Sequence, residues 1–351
     1  MRRITREVRV GGVKIGGGAP VSVQSMTSAA TTDIDAAVAQ ILRMKAAGCD
    51  IARVAVPNAE SAAAIKKIKA ETRIPIVADV HFDHRLALAS LEAGADKLRI
   101  NPGNIGGEDR VEAVARAAKD RGVPIRVGAN AGSIDRKRYG TPDSEALVES
   151  ALDQVMVLER VGFEDIVISL KAFDVPTMIR AYRLASERCD YPLHLGVTES
   201  GLAWEGTIRS AIGIGALLAD GIGDTLRVSL TADPVEEVRV GREILSSLGL
   251  CSRPFTLISC PTCGRCAVDL TGIAEEVRRR LEADPPARPV TVAVMGCVVN
   301  GPGEASMADV GIAGGRESGA IFVRGEMART VSEDRLVDEL MKEVRKLASD
   351  P

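Results

Sequence analysis

From about residue 21 to residue 250, short runs of β-branched and apolar residues alternate with longer stretches whose apolar positions recur at helical spacing. The short runs are VSVQSM (21–26), IARVAV (51–56), PIVADV (75–80), KLRINP (97–102), PIRVGAN (124–130), DIVISLKA (165–172), PLHLGVTE (192–199) and DTLRVSL (224–230). Between them lie Ala-rich amphipathic stretches such as DIDAAVAQILRMKAAG and SEALVESALDQVMVLERVG. This alternation predicts repeated βα units on a parallel sheet, an α/β architecture. Several helical stretches stop at similar punctuation, AAGCD, EAGAD, RVGFED and GIGD, where glycine supplies a left-handed C-cap. Eight strand–helix units favour closure into a (β/α)8 TIM-type barrel over an open doubly wound sheet.

Beyond Leu250 the rhythm changes. FTLISC, VTVAVMGC, DVGIAGG and GAIFVRGE follow one another as strand-like runs, and TGIAEEVRRRLEA and DRLVDELMKEVRKLAS read as amphipathic helices. That mixture predicts a smaller α+β domain with some antiparallel pairing. The chain divides at CSRP (251–254), giving a barrel over residues 1–250 and a second domain over 251–351. The length of 351 residues suits this division, since a barrel takes about 250.

Composition narrows the function. With 46% apolar and 26% charged residues the chain can bury a large core, and disorder is not expected. A formal net charge of -3 argues against general nucleic-acid binding, which needs a basic surface, yet it leaves room for a local basic pocket. MRRITREVRV never reaches the apolar core of an export signal, and no run stays apolar long enough to cross a bilayer. The expected location is the cytoplasm, without a membrane partner.

Seven cysteines in such a chain do not read as a disulfide framework. Cys49, Cys189 and Cys251 are scattered and fit small buried apolar side chains. Cys260, Cys263 and Cys266 instead form C-x2-C-x2-C in SCPTCGRC, and Cys297 ends a strand-like run in MGCVVNGPGE. Thiols on a tight Pro/Gly turn can converge on a metal centre that a distant strand completes. A zinc ribbon would bring two C-x2-C knuckles, and the second half offers one cysteine. A radical S-adenosylmethionine site would want three cysteines after the first barrel strand, where QSMTSAATT has none. An iron–sulfur centre fits these spacings best; the rival is a zinc-stabilised protein that merely binds a phosphorylated ligand.

Barrel enzymes carry their chemistry at the C-terminal ends of the strands. Here those ends supply Arg53, Asp79, His81, Arg99, Asn101, Arg126, Asn130, Lys171, His194, Glu199 and Arg227. Four arginines and a lysine in one crevice are costly without anions to pair with, so the ligand is expected to be phosphorylated. Taken singly, each cation could be a strand-end charge paired with Asp79 or Glu199. A lone histidine is more often a satisfied structural residue, which sets His194 behind His81. No G-x-G-x-x-G turn opens the chain, so it is not expected to bind a nicotinamide or flavin itself.

SCPTC, GCVVNGPGE, INPGNIG, ADVHFD, NAGS and GIGDTLRVSL, spread over nearly the whole chain, together resemble the bacterial 4-hydroxy-3-methylbut-2-enyl diphosphate synthase family of the non-mevalonate isoprenoid pathway. The resemblance implies a [4Fe-4S] cluster on Cys260, Cys263, Cys297 and Glu304, with Cys266 outside the ligand set. A carboxylate leaves iron more readily than a thiolate, so Glu304 would open a position for substrate oxygen. The implied substrate is 2-C-methyl-D-erythritol 2,4-cyclodiphosphate. Arg99, Arg126 and Lys171 would hold its diphosphate, with Arg53, His81, Asn101, Arg227 and Asn300 as further contacts. Asp79, Asn130 and Glu199 would be the polar groups available for proton handling. The family further implies a two-electron reductive dehydroxylation, a separate flavodoxin or ferredoxin as donor, and a head-to-tail homodimer in which one copy's cluster domain caps the other's barrel.

Overall fold

An N-terminal hairpin of β1 (Val8–Val10) and β2 (Val13–Ile15) opens the fold in the computed structural model, which describes residues 2–349. Nothing in MRRITREVRV announces this hairpin, because its charged positions alternate with valines that need a surface to cover. Val8, Val10 and Ile15 find that surface on Ile51, Val77 and Val167, at the floor of the barrel.

The barrel belongs to the unit Met1–Cys251. Its strands are β3 (Ser22–Met26), β4 (Ile51–Ala55), β5 (Ile76–Asp79), β6 (Lys97–Arg99), β7 (Ile125–Asn130), β8 (Ile166–Lys171), β9 (His194–Leu195) and β10 (Thr225–Leu226). Around them lie α1 (Ile34–Ala46), α2 (Ala59–Thr72), α3 (His84–Glu92), α4 (Glu108–Asp120), α5 (Arg136–Tyr139), α6 (Ser144–Arg160), α7 (Val175–Arg188), α8 (Ala203–Ala219) and α9 (Pro234–Ser247). Neighbouring strands pair in parallel in the order β8-β7-β6-β5-β4-β3-β10-β9. A parallel bridge between Ile168 and Leu193 closes the ring. Buried Tyr182 of α7 ties the same seam, its hydroxyl accepting from Leu170 N at 3.0 Å and donating to the His194 carbonyl. The helices start where an acid or amide stops the loop: Asp33, Asn58, Asp83, Asp143, Asp174 and Asp233 each accept a first-turn N–H. Those caps fix where the mouth loops end.

The unit Ser252–Pro351 carries a mixed sheet. Its elements are β11 (Phe255–Ser259), α10 (Leu270–Ala283), β12 (Val290–Met295), α11 (Gly301–Ser306), β13 (Val310–Gly314), β14 (Ser318–Val323), β15 (Glu326–Ser332) and α12 (Leu336–Ser349). The strands lie in sequence order; β11, β12 and β13 pair in parallel, and β14 and β15 join antiparallel. One face, with Val292, Val294, Ile312 and Ile321, packs against Val277 and Leu281 of α10 and Leu340 and Val344 of α12. The other is lined by small residues, Ala293 and Ala313, on which Ala305 of α11 rests. Two elements depart from expectation. Residues 301–306, where Gly-Pro-Gly favours a turn, form a short helix, and the polar run EMARTVS, which carries no strand-like apolar pattern, pairs as β15. Among the described residues no helix is long and apolar enough to cross a membrane.

Candidate active site

Side chains two residues apart on a strand share a face, so each barrel strand carries its interior from floor to mouth. Ile51 leads to Arg53 on β4, Val77 to Asp79 on β5 and Lys97 to Arg99 on β6, while His194 starts β9 and Thr225 starts β10. Register aligns these rows: Asp79 stands opposite Arg99, Arg99 opposite Arg126, Asn130 opposite Lys171 and Thr225 opposite His194.

Asp79 is the hub of the mouth. Arg99 Nη1 lies 3.3 Å from Oδ1, and His81 Nε2 and Arg53 Nε lie 3.5 Å and 3.8 Å from Oδ2. Burial alone would raise the carboxyl's pKa, but Arg53, a hydrogen bond with His81, Arg99 and Arg126 together hold it well below the usual carboxylate range. Asp79 is therefore ionised at neutral pH. Arg227 pairs with Glu237 of α9 at 3.2 Å, and the same carboxylate accepts from Ser25 Oγ at 2.7 Å and Leu230 N at 3.0 Å. Glu199, expected as a pairing acid, is exposed, has no ion-pair partner among the described residues, and sits at φ 52.

The remaining cations are less well matched. Arg126 is 2% exposed, and its Nε and Nη1 have no hydrogen-bond partner among the described residues. Burial first, then Arg53 and Arg99, disfavour its charge. Burial and Arg126 do the same to Lys171. Lys171 has room because position 196 is glycine: a Cβ there would stand 3.1 Å from Lys171 Nζ and 2.7 Å from the Arg227 carbonyl. Asn101 and Asn130 brace their loops, accepting from Gly103 N at 3.0 Å and Gly132 N at 2.9 Å. A cavity of about 840 Å³ runs beside the mouth from Arg99, Asn101 and Asn130 to Arg138 and Met156.

Three interior residues escaped the sequence reading or its weighting. Lys97 is fully buried without a partner, and only its spacing from Arg99 signalled an inward side chain. His194, expected to be satisfied, has neither ring nitrogen bonded among the described residues. Glu237 lies on the buried stripe of α9 with Pro234, Val238 and Gly241, and an acid on an apolar stripe was its signal.

In the second unit the thiols gather at strand ends. Cys297 follows β12, and backbone N–H groups of Val299, Asn300 and Gly301 at the start of α11 lower its pKa. Arg265, through its backbone and side chain, lowers that of Cys263, while the charge of Cys297 opposes the shift. Cys260 Sγ accepts from Gly296 N at 3.3 Å. Cys266 behaves differently: its thiol donates to the Val268 carbonyl at 3.3 Å, and it lies so close to residue 296 that a Cβ there would be 2.4 Å from its sulfur. Glu304 sits half-buried in the first turn of α11, and Asn300 is exposed at its N-cap. Among the described residues no three His, Cys, Asp or Glu side chains meet at one ion-sized point.

Residues 5–242 match the GcpE TIM-barrel domain and residues 256–346 the GcpE protein C-terminal domain. A protein from Caldanaerobacter subterraneus subsp. tengcongensis named 4-hydroxy-3-methylbut-2-en-1-yl diphosphate synthase (flavodoxin) is 56% identical over 353 residues, covering 100% of this chain and 99% of its own. A protein of the same name from Geobacter sulfurreducens is also 56% identical over 353 residues, with 100% and 99% covered. Among solved structures, the dihydropteroate synthase of Yersinia pestis superposes with a TM-score of 0.52 at 13% identity, over 69% of this chain and 97% of that one, a likeness of fold. With both family domains matched in order, the chain belongs to the GcpE family.

Proposed function

We propose that this chain converts 2-C-methyl-D-erythritol 2,4-cyclodiphosphate into 4-hydroxy-3-methylbut-2-enyl diphosphate and water, with electrons from a flavodoxin, the donor in its relatives' name. The observation that carries this reading is the surplus of buried positive charge at the barrel mouth, with Arg126 enclosed and incompletely bonded. Such a cluster is stabilised by a polyanion. Arg99, Arg126 and Lys171 hold the diphosphate, Arg53, His81 and Arg227 flank it, and the amide N–H groups of Asn101 and Asn130 complete the cradle. Asn300 is assigned as a further contact by family resemblance.

The net reaction takes up two electrons and a proton, breaks the ring carbon–oxygen bond to phosphate and releases a hydroxyl oxygen as water. Opening the ring frees a terminal phosphate oxygen and so adds a negative charge to the diphosphate. A cationic cradle stabilises that developing charge more than it stabilises the ring, which is the differential binding that catalysis requires. Asp79, held ionised, orients Arg53 and Arg99 and is a poor proton donor. Proton delivery falls to Glu199, whose left-handed backbone is a strained conformation of the kind kept at working sites.

We assign Cys260, Cys263, Cys297 and Glu304 as ligands of a [4Fe-4S] cluster. The donor chemistry fits: Cys263 and Cys297 are biased toward thiolate, and Cys266 is engaged as a thiol donor. Each ligand of such a cluster binds a different iron, so the four side chains need not share one point. When bound, the cluster supplies electrons singly and a Lewis-acidic iron. We also propose a cytoplasmic location, where the seven free cysteines stay reduced, and a homodimer, for which the exposed Trp204, Ile208 and Ile212 of α8 offer a contact.

Anaerobic purification, metal and sulfide analysis, and an assay with the cyclodiphosphate and reduced flavodoxin test the reading. The expected result is brown protein with about four irons per chain that forms the product. Colourless protein holding zinc, or iron-loaded protein without turnover, would overturn it.

A further inference from the structure

Beneath the arginines lies a level of the barrel to which the reaction assigns no part. Lys97 is fully buried on β6, and its Nζ lacks a hydrogen-bond partner among the described residues. Gln24 on β3, His194 on β9 and Thr225 on β10 also keep buried polar atoms without partners there. In most barrels branched apolar side chains fill this interior.

The charges that act on Lys97 are those of Arg126 from β7 and Arg53 from β4, and His194 in turn feels Arg126, Lys171, Lys97 and Arg53. The interior carboxylates are engaged elsewhere, Asp79 by Arg99, His81 and Arg53, and Glu237 by Arg227 and Ser25. Under such pressure a guanidinium keeps its proton, whereas an amine gives it up. Burial first, then Arg126 and Arg53, push Lys97 well below the ordinary lysine value, in keeping with its unpartnered nitrogen.

We propose that Lys97 is a neutral amine in the ligand-free barrel and takes up one proton from solvent when a diphosphate seats on Arg99, Arg126 and Lys171, so that proton uptake is part of binding. The inference rests on the diphosphate cradle argued above and deepens it. The arriving anion neutralises the cations that expelled the proton and adds an attraction of its own. Lys97 responds before His194 because an ordinary amine starts about four pH units above an imidazole. Once charged, Lys97 adds to the positive field of the cradle, and the bound diphosphate meets one more positive group than the empty barrel offers. By linkage, affinity rises as pH falls, by up to about tenfold per pH unit for a single proton.

Calorimetric titration of inorganic pyrophosphate into the holoenzyme, in buffers of different ionisation enthalpy at one pH, counts the protons taken up. Lys97→Met and Lys97→Gln serve as comparisons, since each removes a buried amine that opposes folding. The wild type is expected to take up about one proton more per pyrophosphate than either variant and to bind it roughly tenfold more tightly. Equal proton counts with binding retained would overturn this inference and leave the cradle standing. No binding of pyrophosphate by the wild type would overturn both. Should neither variant fold, the wild-type count decides: Lys171, buried among the same arginines, can take up one proton of its own, so a value of no more than one beyond the ionisation of free pyrophosphate overturns the inference.

Discussion

His194 has no exposed surface and no bonded ring nitrogen, and a proton on it would add charge beside Arg126 and Arg53. Burial first, then those cations, lower its pKa in the folded chain, while the unfolded imidazole titrates near about 6.5. Below that pH the unfolded chain binds a proton that the folded chain refuses, so stability falls as pH falls, by about 1.4 kcal/mol per unit. His194→Gln is expected to remove that part of the slope, leaving the slope above about pH 6.5 unchanged; urea unfolding across a pH series reads it. An identical acid limb in wild type and variant would contradict the neutral, buried assignment. At this scale the sequence was partly legible. Strand ends named Arg53, Arg99 and Arg126 directly, but Lys97 is visible only if the two-residue period of KLR is followed one step inward from Arg99. Glu237 required setting a helical period on α9 against a charge, and no strand-end reading reaches it.

At the scale of elements, the junction from β12 into α11 decides which cysteines can serve a metal. The short helix lies tightly on the sheet because its neighbours are small: a Cβ at position 311 would stand 2.9 Å from the Ala305 Cβ. That packing brings the N–H groups of Val299, Asn300 and Gly301, leading into α11, to Cys297, while Cys266 stays bonded to Val268 against residue 296. Cys266→Ser can keep the same hydrogen bond, so iron content and turnover are expected to stay within about twofold of wild type. Cys297→Ser is expected to lose most of its iron. Iron analysis and visible absorbance of anaerobic samples check both, and loss of iron in Cys266→Ser would return that residue to the ligand set. Elements whose burial pattern is written in their own residues, such as β4, β5, β7 and β8, matched their apolar runs closely. The hairpin β1–β2, the helix α11 and the edge strand β15 did not, because each is held by a surface elsewhere in its unit and not by local pattern.

For the whole molecule, the outer face of α8 poses the question of a partner. Its inner face uses Gly206, Gly213, Ile214 and Leu217 against the barrel, yet Trp204, Ile208 and Ile212 repeat at every fourth position outward and are 75%, 42% and 56% exposed. Three large apolar side chains in a row on a helix form an exposed apolar stripe, the face on which the proposed homodimer would pack. A stripe of this kind is self-complementary about a two-fold axis, where each residue can meet its own copy or a near neighbour. Ile208→Glu would bring two carboxylates into that contact, at a cost of several kcal/mol, and so weaken dimerisation by about 100-fold or more. Light scattering at micromolar protein is expected to give a dimer for the wild type and a monomer for the variant, with circular dichroism unchanged. A wild-type monomer, or a variant that stays dimeric, would count against this face. If the two copies complete each other's site, as the family resemblance implies, turnover falls with the fraction of dimer at each concentration, and adding protein restores it. Turnover per chain that does not depend on concentration would place a whole site within each chain.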